Sequence, residues 1–194
     1  MNLISFLDNS DPHGQLMLAY ARGDVQAFDT LYVHYRGPLF RYFLRQCGSH
    51  ALAEELYQEL WMKVINSRDR YEHSARFATW LYHIAHNLLV DHFRKLHPES
   101  GDLDPDEAEA GPDSDPAEQY SSQEKISRFL GLLQSLPDAQ REVFLLKEEG
   151  GLSLEEIAKV TRTSFETVKS RLRYAVNKLL EAVIETAQND EQIR

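Results

Sequence analysis

Apolar residues recur at three- and four-residue spacing along most of the chain, and nowhere alternate with polar ones as a strand would require. That period predicts helices near residues 12–22, 24–47, 50–67 and 75–97, and again near 121–135, 138–149, 154–161 and 164–187. Local chemistry suggests their ends. Asp24 is placed to cap the second helix and Ser74 the fourth. Gly37-Pro38 should kink the second, because proline lacks the N–H a helix interior uses. Ser153 with Glu156, and Thr163 with Glu166, have capping-box spacing. Gly150-Gly151 makes a natural break before Ser153. The expected fold class is all-α.

The period stops between Pro98 and Tyr120. Leu103 is the sizeable apolar residue there, among four prolines, Gly101 and Gly111. Such a stretch cannot bury enough surface to offset its ordering entropy, so it reads as a flexible linker. The chain then divides into a helical module over 1–97, a linker over 98–120 and a second helical module over 121–194. The linker with the few residues after it also explains the net charge of −10. From Pro98 to Glu124 there are ten acids and no Lys or Arg, which leaves 21 acids against 21 bases elsewhere. The acidic balance therefore says nothing against nucleic-acid binding, which local patches must decide.

Several function classes fall away. No run approaches the ~20 apolar residues of a membrane-spanning helix. Met1 to Ser10 has no basic cluster ahead of an apolar stretch, so no secretory signal is expected and the cytoplasm is the expected compartment. One cysteine, Cys47, excludes a disulfide framework and a multi-cysteine zinc site. His83 and His86 could share a helix side with Asp91 one turn on, but His86 and Asp91 project apart, so no metal site is expected. There is no glycine-rich phosphate loop, no nucleophile with an obvious base and no boxed pair of carboxylates. Neither an enzyme nor a cofactor is expected.

Three segments carry chemistry. Leu152 to Leu180 reads as a helix-turn-helix: a short helix, a tight turn at Thr161 to Thr163, and a longer helix. On the longer helix Val168, Leu172, Ala175 and Leu179 form a buried stripe. The opposite face carries Ser170, Arg173, Tyr174 and Asn177, with Lys169 and Lys178 on its flanks and Arg171 at the stripe's edge. Polar groups there suit base edges in a major groove, and the cations suit phosphates. The second segment, Ser49 to Ser67, buries Ala53, Leu56, Tyr57, Leu60, Trp61 and Val64. It turns Glu55, Gln58, Glu59 and Met62 outward with Glu54 beside them, an acidic face fitted to a basic protein surface. The third, Arg68 to Lys95, has one core stripe through Phe77, Trp80, Leu81, Ile84 and Leu88. A second apolar patch of Tyr82, Leu89 and Phe93 implies that this helix is gripped on two sides. Cations interleaved with aromatics suit single-stranded DNA.

Taken together, these segments resemble the extracytoplasmic-function (ECF) sigma factors of bacterial RNA polymerase. The resemblance rests on Gly23 to Arg45, Ala53 to Val64, Phe77 to Lys95 and Leu136 to Arg173, in that order and with a linker where the family has one. It implies a region 2 bundle, a region 4 helix-turn-helix, and a transcription initiation factor that works with core polymerase. Glu54, Glu55, Gln58, Glu59 and Met62 would dock on the polymerase clamp helices, and the flap of the large subunits is a further expected contact. Lys63, Ser67, Tyr71, Trp80, Ile84, Asn87 and Arg94 would hold the melted −10 element. Lys169, Ser170, Arg171, Arg173, Tyr174, Asn177 and Lys178 would read the −35 duplex. A separate anti-sigma protein is the family's habit. Glu166 stands where the family usually has glycine. Two rival readings of the same residues are an ordinary helix-turn-helix regulator, binding operator DNA alone as a dimer, and a helical adaptor acting only through proteins.

Overall fold

The computed structural model describes residues 11–96 and 129–192, and these are helical throughout apart from short turns. The expected linker, the stretch 121–128 of the fifth expected helix and the chain ends lie outside the described residues. The first module contains α1 (Pro12–Ala21), α2 (Val25–Cys47), α3 (His50–Asn66), a 3-10 turn (Arg68–Arg70) and α4 (Phe77–Leu96). The second contains α5 (129–134), α6 (Asp138–Glu148), α7 (Leu154–Thr161) and α8 (Phe165–Gln192).

Asp24 caps α2 as expected, accepting from the N–H groups of Gln26 and Ala27 at 3.1 and 3.3 Å. The helix continues through Pro38. It stops at Gly48, whose φ of 66° gives the left-handed turn that glycine adopts without a Cβ penalty. Ser49 then caps α3. The expected capping box of Ser153 and Glu156 is complete in both directions.

Two expected caps are displaced by one rule: the acceptor nearest the orphan N–H wins, from whatever part of the chain it comes. Ser74 does not cap α4, which starts at Phe77; the Phe77 N–H is taken instead by Asp11 Oδ2 at 2.6 Å, from just ahead of α1. Thr163 does not cap α8, because its hydroxyl bonds that of Thr161. Ser164 does, accepting the Thr167 N–H at 3.1 Å.

The second module lies against α2 and α4 of the first, and one connected core runs through both. Tyr42, Phe43, Phe77, Leu81 and Tyr82 are fully buried on one side, and Leu133, Leu136, Val143, Leu145 and Leu146 on the other. Each such side chain stabilises the fold by about 1.5–3 kcal/mol. The two-sided grip expected for α4 is present, and α7 supplies one of the sides. Tyr82 donates its hydroxyl to the Glu149 carbonyl at 3.0 Å. Arg141, buried on α6, donates to Gln46 Oε1 at 3.0 Å and to the Gln46 carbonyl at 3.2 Å, at the C-terminal end of α2 where the helix dipole favours a cation. Its remaining donors reach the Gln134 and Leu136 carbonyls and Asp138.

Candidate nucleic-acid and protein interfaces

On α3 the expected stripe is packed, with Ala53, Leu60 and Val64 fully buried. Trp61 is held by Tyr32 and Phe28 of α2 at ring-centroid distances of 5.0 and 5.7 Å, and Tyr57 by Phe40 at 5.9 Å. This aromatic backing fixes the orientation of the opposite face. There Glu54, Glu55, Gln58, Glu59 and Met62 are all exposed, Met62 to 56%. Glu54 has the His50 ring at 3.5 Å and Glu59 has Lys63 at 3.3 Å. Beside Glu54 lies an open groove of about 490 Å³ lined by Arg36, Phe40, Arg41, His50 and Tyr57. The α2 contribution to this side was missed in the sequence. Its signal was the four-residue step from Arg36 to Phe40.

The loop before α4 is built around Tyr71. Its ring sits edge-on to Trp80 at 5.0 Å and to Phe77 at 6.0 Å, and stacks with His73 at 6.4 Å. Tyr71 is 7% exposed, so it belongs to the packed base of the loop and does not turn its ring outward in this arrangement. Trp80, Ile84 and Asn87 follow at four- and three-residue steps along α4, all half-buried. Ser67 ends α3, and Arg68 lies over the Tyr20 ring at 5.7 Å. Arg94 is exposed and paired with Asp91 at 2.8 Å.

In the helix-turn-helix, Arg162 takes the left-handed conformation that ends α7, with φ 55° and ψ 37°. Val168, Ala175 and Leu179 are buried as expected. Lys169, Arg173, Tyr174 and Asn177 are exposed along the far side with Ser170 half-buried among them. The Arg173 guanidinium lies over the Tyr174 ring at 5.2 Å, which orders both. Glu166 has Lys169 at 3.9 Å, so its charge is partly offset. Two further expected members, Arg171 at the stripe's edge and the exposed Lys178 on the flank, have other neighbours. Arg171 is 8% exposed on the packed side, because its position follows the buried stripe round the helix. Lys178 donates to the Ser135 carbonyl at 2.8 Å.

His86 does not face a metal partner. Its Nδ1 lies 2.6 Å from Glu142 Oε1. Burial, and then the Arg162 charge, push the pKa of His83 below the usual histidine value. Among the described residues no cluster of His, Cys, Asp and Glu could hold a metal, and no helix is long and apolar enough to cross a membrane.

Two family profiles match this chain in the same order as the modules: Sigma-70 region 2 over residues 31–98, and Sigma-70, region 4, over residues 126–179. The chain is 30% identical over 185 residues to the RNA polymerase sigma-H factor of Pseudomonas aeruginosa, covering 89% of this chain and 96% of that one. It is 35% identical over 161 residues to the ECF RNA polymerase sigma factor RpoE of Cereibacter sphaeroides, covering 80% and 86%. The chain belongs to the ECF sigma factors. A solved relative, the sigma factor RpoE of Bartonella quintana in complex with the anti-sigma factor NepR, superposes with a TM-score of 0.65 at 27% identity. That match covers 80% of this chain and 96% of the other. As a sigma factor the chain is a transcription initiation factor, and the readings as an ordinary operator-binding regulator or an adaptor give way. Its first module is then region 2, and its second is region 4.

Proposed function

We propose that three exposed faces divide the work of promoter-directed initiation, with units at 1–97, 98–120 and 121–194. The acidic face of α3 (Glu54, Glu55, Gln58, Glu59 and Met62) docks on the clamp helices of the large polymerase subunit, and region 4 meets the flap. Net negative charge with a flexible thioether at its edge suits a basic, adaptable protein contact. Lys63, Ser67, Trp80, Ile84, Asn87 and Arg94 receive the melted −10 strand, with Tyr71 supporting the pocket from below. Bases taken out of the stack are held there by aromatic and amide groups, and the cations follow the backbone. Lys169, Ser170, Arg173, Tyr174 and Asn177 read the −35 duplex in the major groove.

The observation that carries this reading is the α8 face. A row of donors stands exposed while the opposite row of the same helix is locked into the core. A base contact made by such a donor contributes about 1–3 kcal/mol of discrimination. The chain acts without catalysing a reaction itself and without a cofactor, in the cytoplasm where polymerase and promoter meet. A separate anti-sigma protein restrains it, by analogy with the NepR that accompanies the Bartonella RpoE.

The test is reconstitution of the chain with core RNA polymerase and genome-wide mapping of the transcripts. Discrete start sites sharing paired −35 and −10 elements are expected. Lys169→Ala with Arg173→Ala should lower use of the native −35 element by tenfold or more. Tight duplex binding by the chain alone, with no polymerase association, would refute the reading.

A further inference from the structure

Besides the contacts of Arg141 with Gln46, of Gln134 with the Arg45 carbonyl and of Tyr82 with the Glu149 carbonyl, polar contacts between the two modules among the described residues meet on the side chains of three glutamates of region 4. Glu149 Oε2 accepts from Arg41 Nε at 2.9 Å and Nη2 at 2.8 Å, while its Oε1 accepts from Arg45. Glu156 accepts from Arg76 Nη1 at 3.1 and 3.2 Å and from the Thr79 hydroxyl at 2.7 Å. Glu142 Oε1 accepts from the Tyr42 hydroxyl at 2.9 Å and meets His86 Nδ1 at 2.6 Å. The donors come from α2, the start of α4 and α4 itself.

Each carboxylate is thus received by two side chains of kinds that hold DNA phosphates: arginine, threonine, tyrosine and histidine. Each position is filled by anionic oxygen, the group a DNA phosphate would also bring to these donors. The carboxylates are shielded, with the Glu149 side chain 7% exposed, yet Arg41 and Arg76 remain about half open to solvent. The donors Thr79 and His86 sit one residue round α4 from Trp80 and Asn87, so the donor row runs beside the row assigned to the −10 strand. Region 4 must leave this face for α8 to reach an upstream −35 element while α4 holds the −10 element. The DNA between the two elements then runs from region 2 toward region 4, over the side that region 4 has vacated.

We propose that the face of region 2 beneath region 4 is a phosphate-binding surface for the promoter duplex between the −10 and −35 elements, and that Glu142, Glu149 and Glu156 occupy it as stand-ins while the chain is closed. The proposal rests on the sigma-factor assignment of the faces. It adds a role for Arg41, Arg45, Arg76 and Thr79 that no base contact requires.

The experiment uses full-length chain with core polymerase and a promoter fragment found by transcript mapping, and follows holoenzyme–promoter affinity against KCl. Arg41→Ala/Arg45→Ala/Arg76→Ala should weaken the complex about tenfold or more, and make the salt dependence shallower by roughly 2–3 in log–log slope, about 0.9 for each phosphate lost. The three-lysine version should restore the slope, which separates lost charge from lost fold. Methylphosphonates in the spacer of the DNA should weaken the wild-type complex and leave the alanine variant indifferent, a comparison that needs no change to the protein. Glu142→Gln/Glu149→Gln/Glu156→Gln should keep the holoenzyme slope, and should raise promoter binding by the chain without polymerase. Wild-type affinity and slope in the alanine variant would overturn the proposal and leave the face as an interdomain contact only. Absence of initiation by the wild-type chain at any promoter would instead overturn the assignment of function.

Discussion

Asp11 offers the sharpest test of how the loop before α4 is held. Its Oδ2 takes the Phe77 N–H at 2.6 Å and lies 3.3 Å from His73 Nε2, in a site where the whole residue is 7% exposed. Asp11→Ala removes an N-cap, which costs ~1 and up to ~2 kcal/mol. It also leaves a shielded N–H without its acceptor, a penalty of about 1–3 kcal/mol that overlaps the first. The expected loss is about 2–3 kcal/mol, a large share of the 5–15 kcal/mol typical of a folded domain. Asp11→Asn keeps an oxygen acceptor and should lose about 1 kcal/mol. Ser74→Ala, at the position the local sequence pattern favours as the cap, should stay within about 0.5 kcal/mol of the parent. Urea unfolding followed by far-UV circular dichroism measures all three, with the midpoint moving and the slope unchanged. Because His73 stacks on Tyr71, Asp11→Ala should also slow promoter melting at temperatures where the protein remains folded. A loss below about 0.5 kcal/mol for Asp11→Ala, or a larger one for Ser74→Ala, would refute the reasoning.

Gly14→Ala should destabilise by about 1–3 kcal/mol in the same assay, against the usual helical gain of ~0.5–1 kcal/mol, because the new Cβ would lie 2.4 Å from His73 Nε2 and 2.7 Å from Asp11 Oδ2. Arg162→Gly should raise stability by about 1 kcal/mol by relieving a left-handed non-glycine residue. It should also move the His83 pKa back up, as seen by NMR titration, since Arg162 ranks after burial in depressing it. That depressed pKa means the open or unfolded chain takes up the proton first, so the stability His83 supports is present above about pH 6.5 and is lost as the pH falls. Burial pushes the Cys47 thiol up to about 11, against the opposing pull of Arg141. Alkylation at pH 8 should therefore run about a hundredfold slower than in denatured chain, and speed up when the modules part.

The features legible in the sequence were those that depend on neighbours a few residues apart. The helical period marked the elements, and the stripes through Leu60 and Val64, Leu81 and Leu88, and Val168 and Ala175 marked the core. Asp24 and Ser153 capped what they were expected to cap, because their acceptors and the N–H groups they serve lie within one turn. Apart from Thr163, displaced by its neighbour Ser164, the misses share a different cause. Asp11 takes the Phe77 N–H from 66 residues away and so displaces Ser74, Ser135 claims Lys178 across the module, and Arg171 follows the core by its angle on α8. Each is a tertiary contact competing for a group that local pattern had already assigned. Arg36 and Phe40 joined the α3 side for the same reason, since the pairing of α2 with α3 is not written in either helix alone.

The charge pattern takes on a different meaning once the modules are placed together. Outside residues 98–124, acids and bases balance overall, yet the balance is not uniform: the cations Arg41, Arg45 and Arg76 lie on region 2, and the carboxylates that meet them lie on region 4. A chain meant only to stay closed would gain more from apolar residues at these positions, because desolvated ion pairs seldom outperform well-packed hydrophobic side chains. A chain meant to open onto DNA has the opposite requirement. Its inner face must be tolerable in water when the modules separate, and must find anions there. Arg41 and Arg76, about half exposed and facing shielded glutamates, meet both conditions, since each loses little on release and, on the proposed surface, gains a phosphate on the promoter. The same division of sign would make closure weaken as salt rises and DNA contact weaken with it, so the two states compete on one set of cations instead of on two.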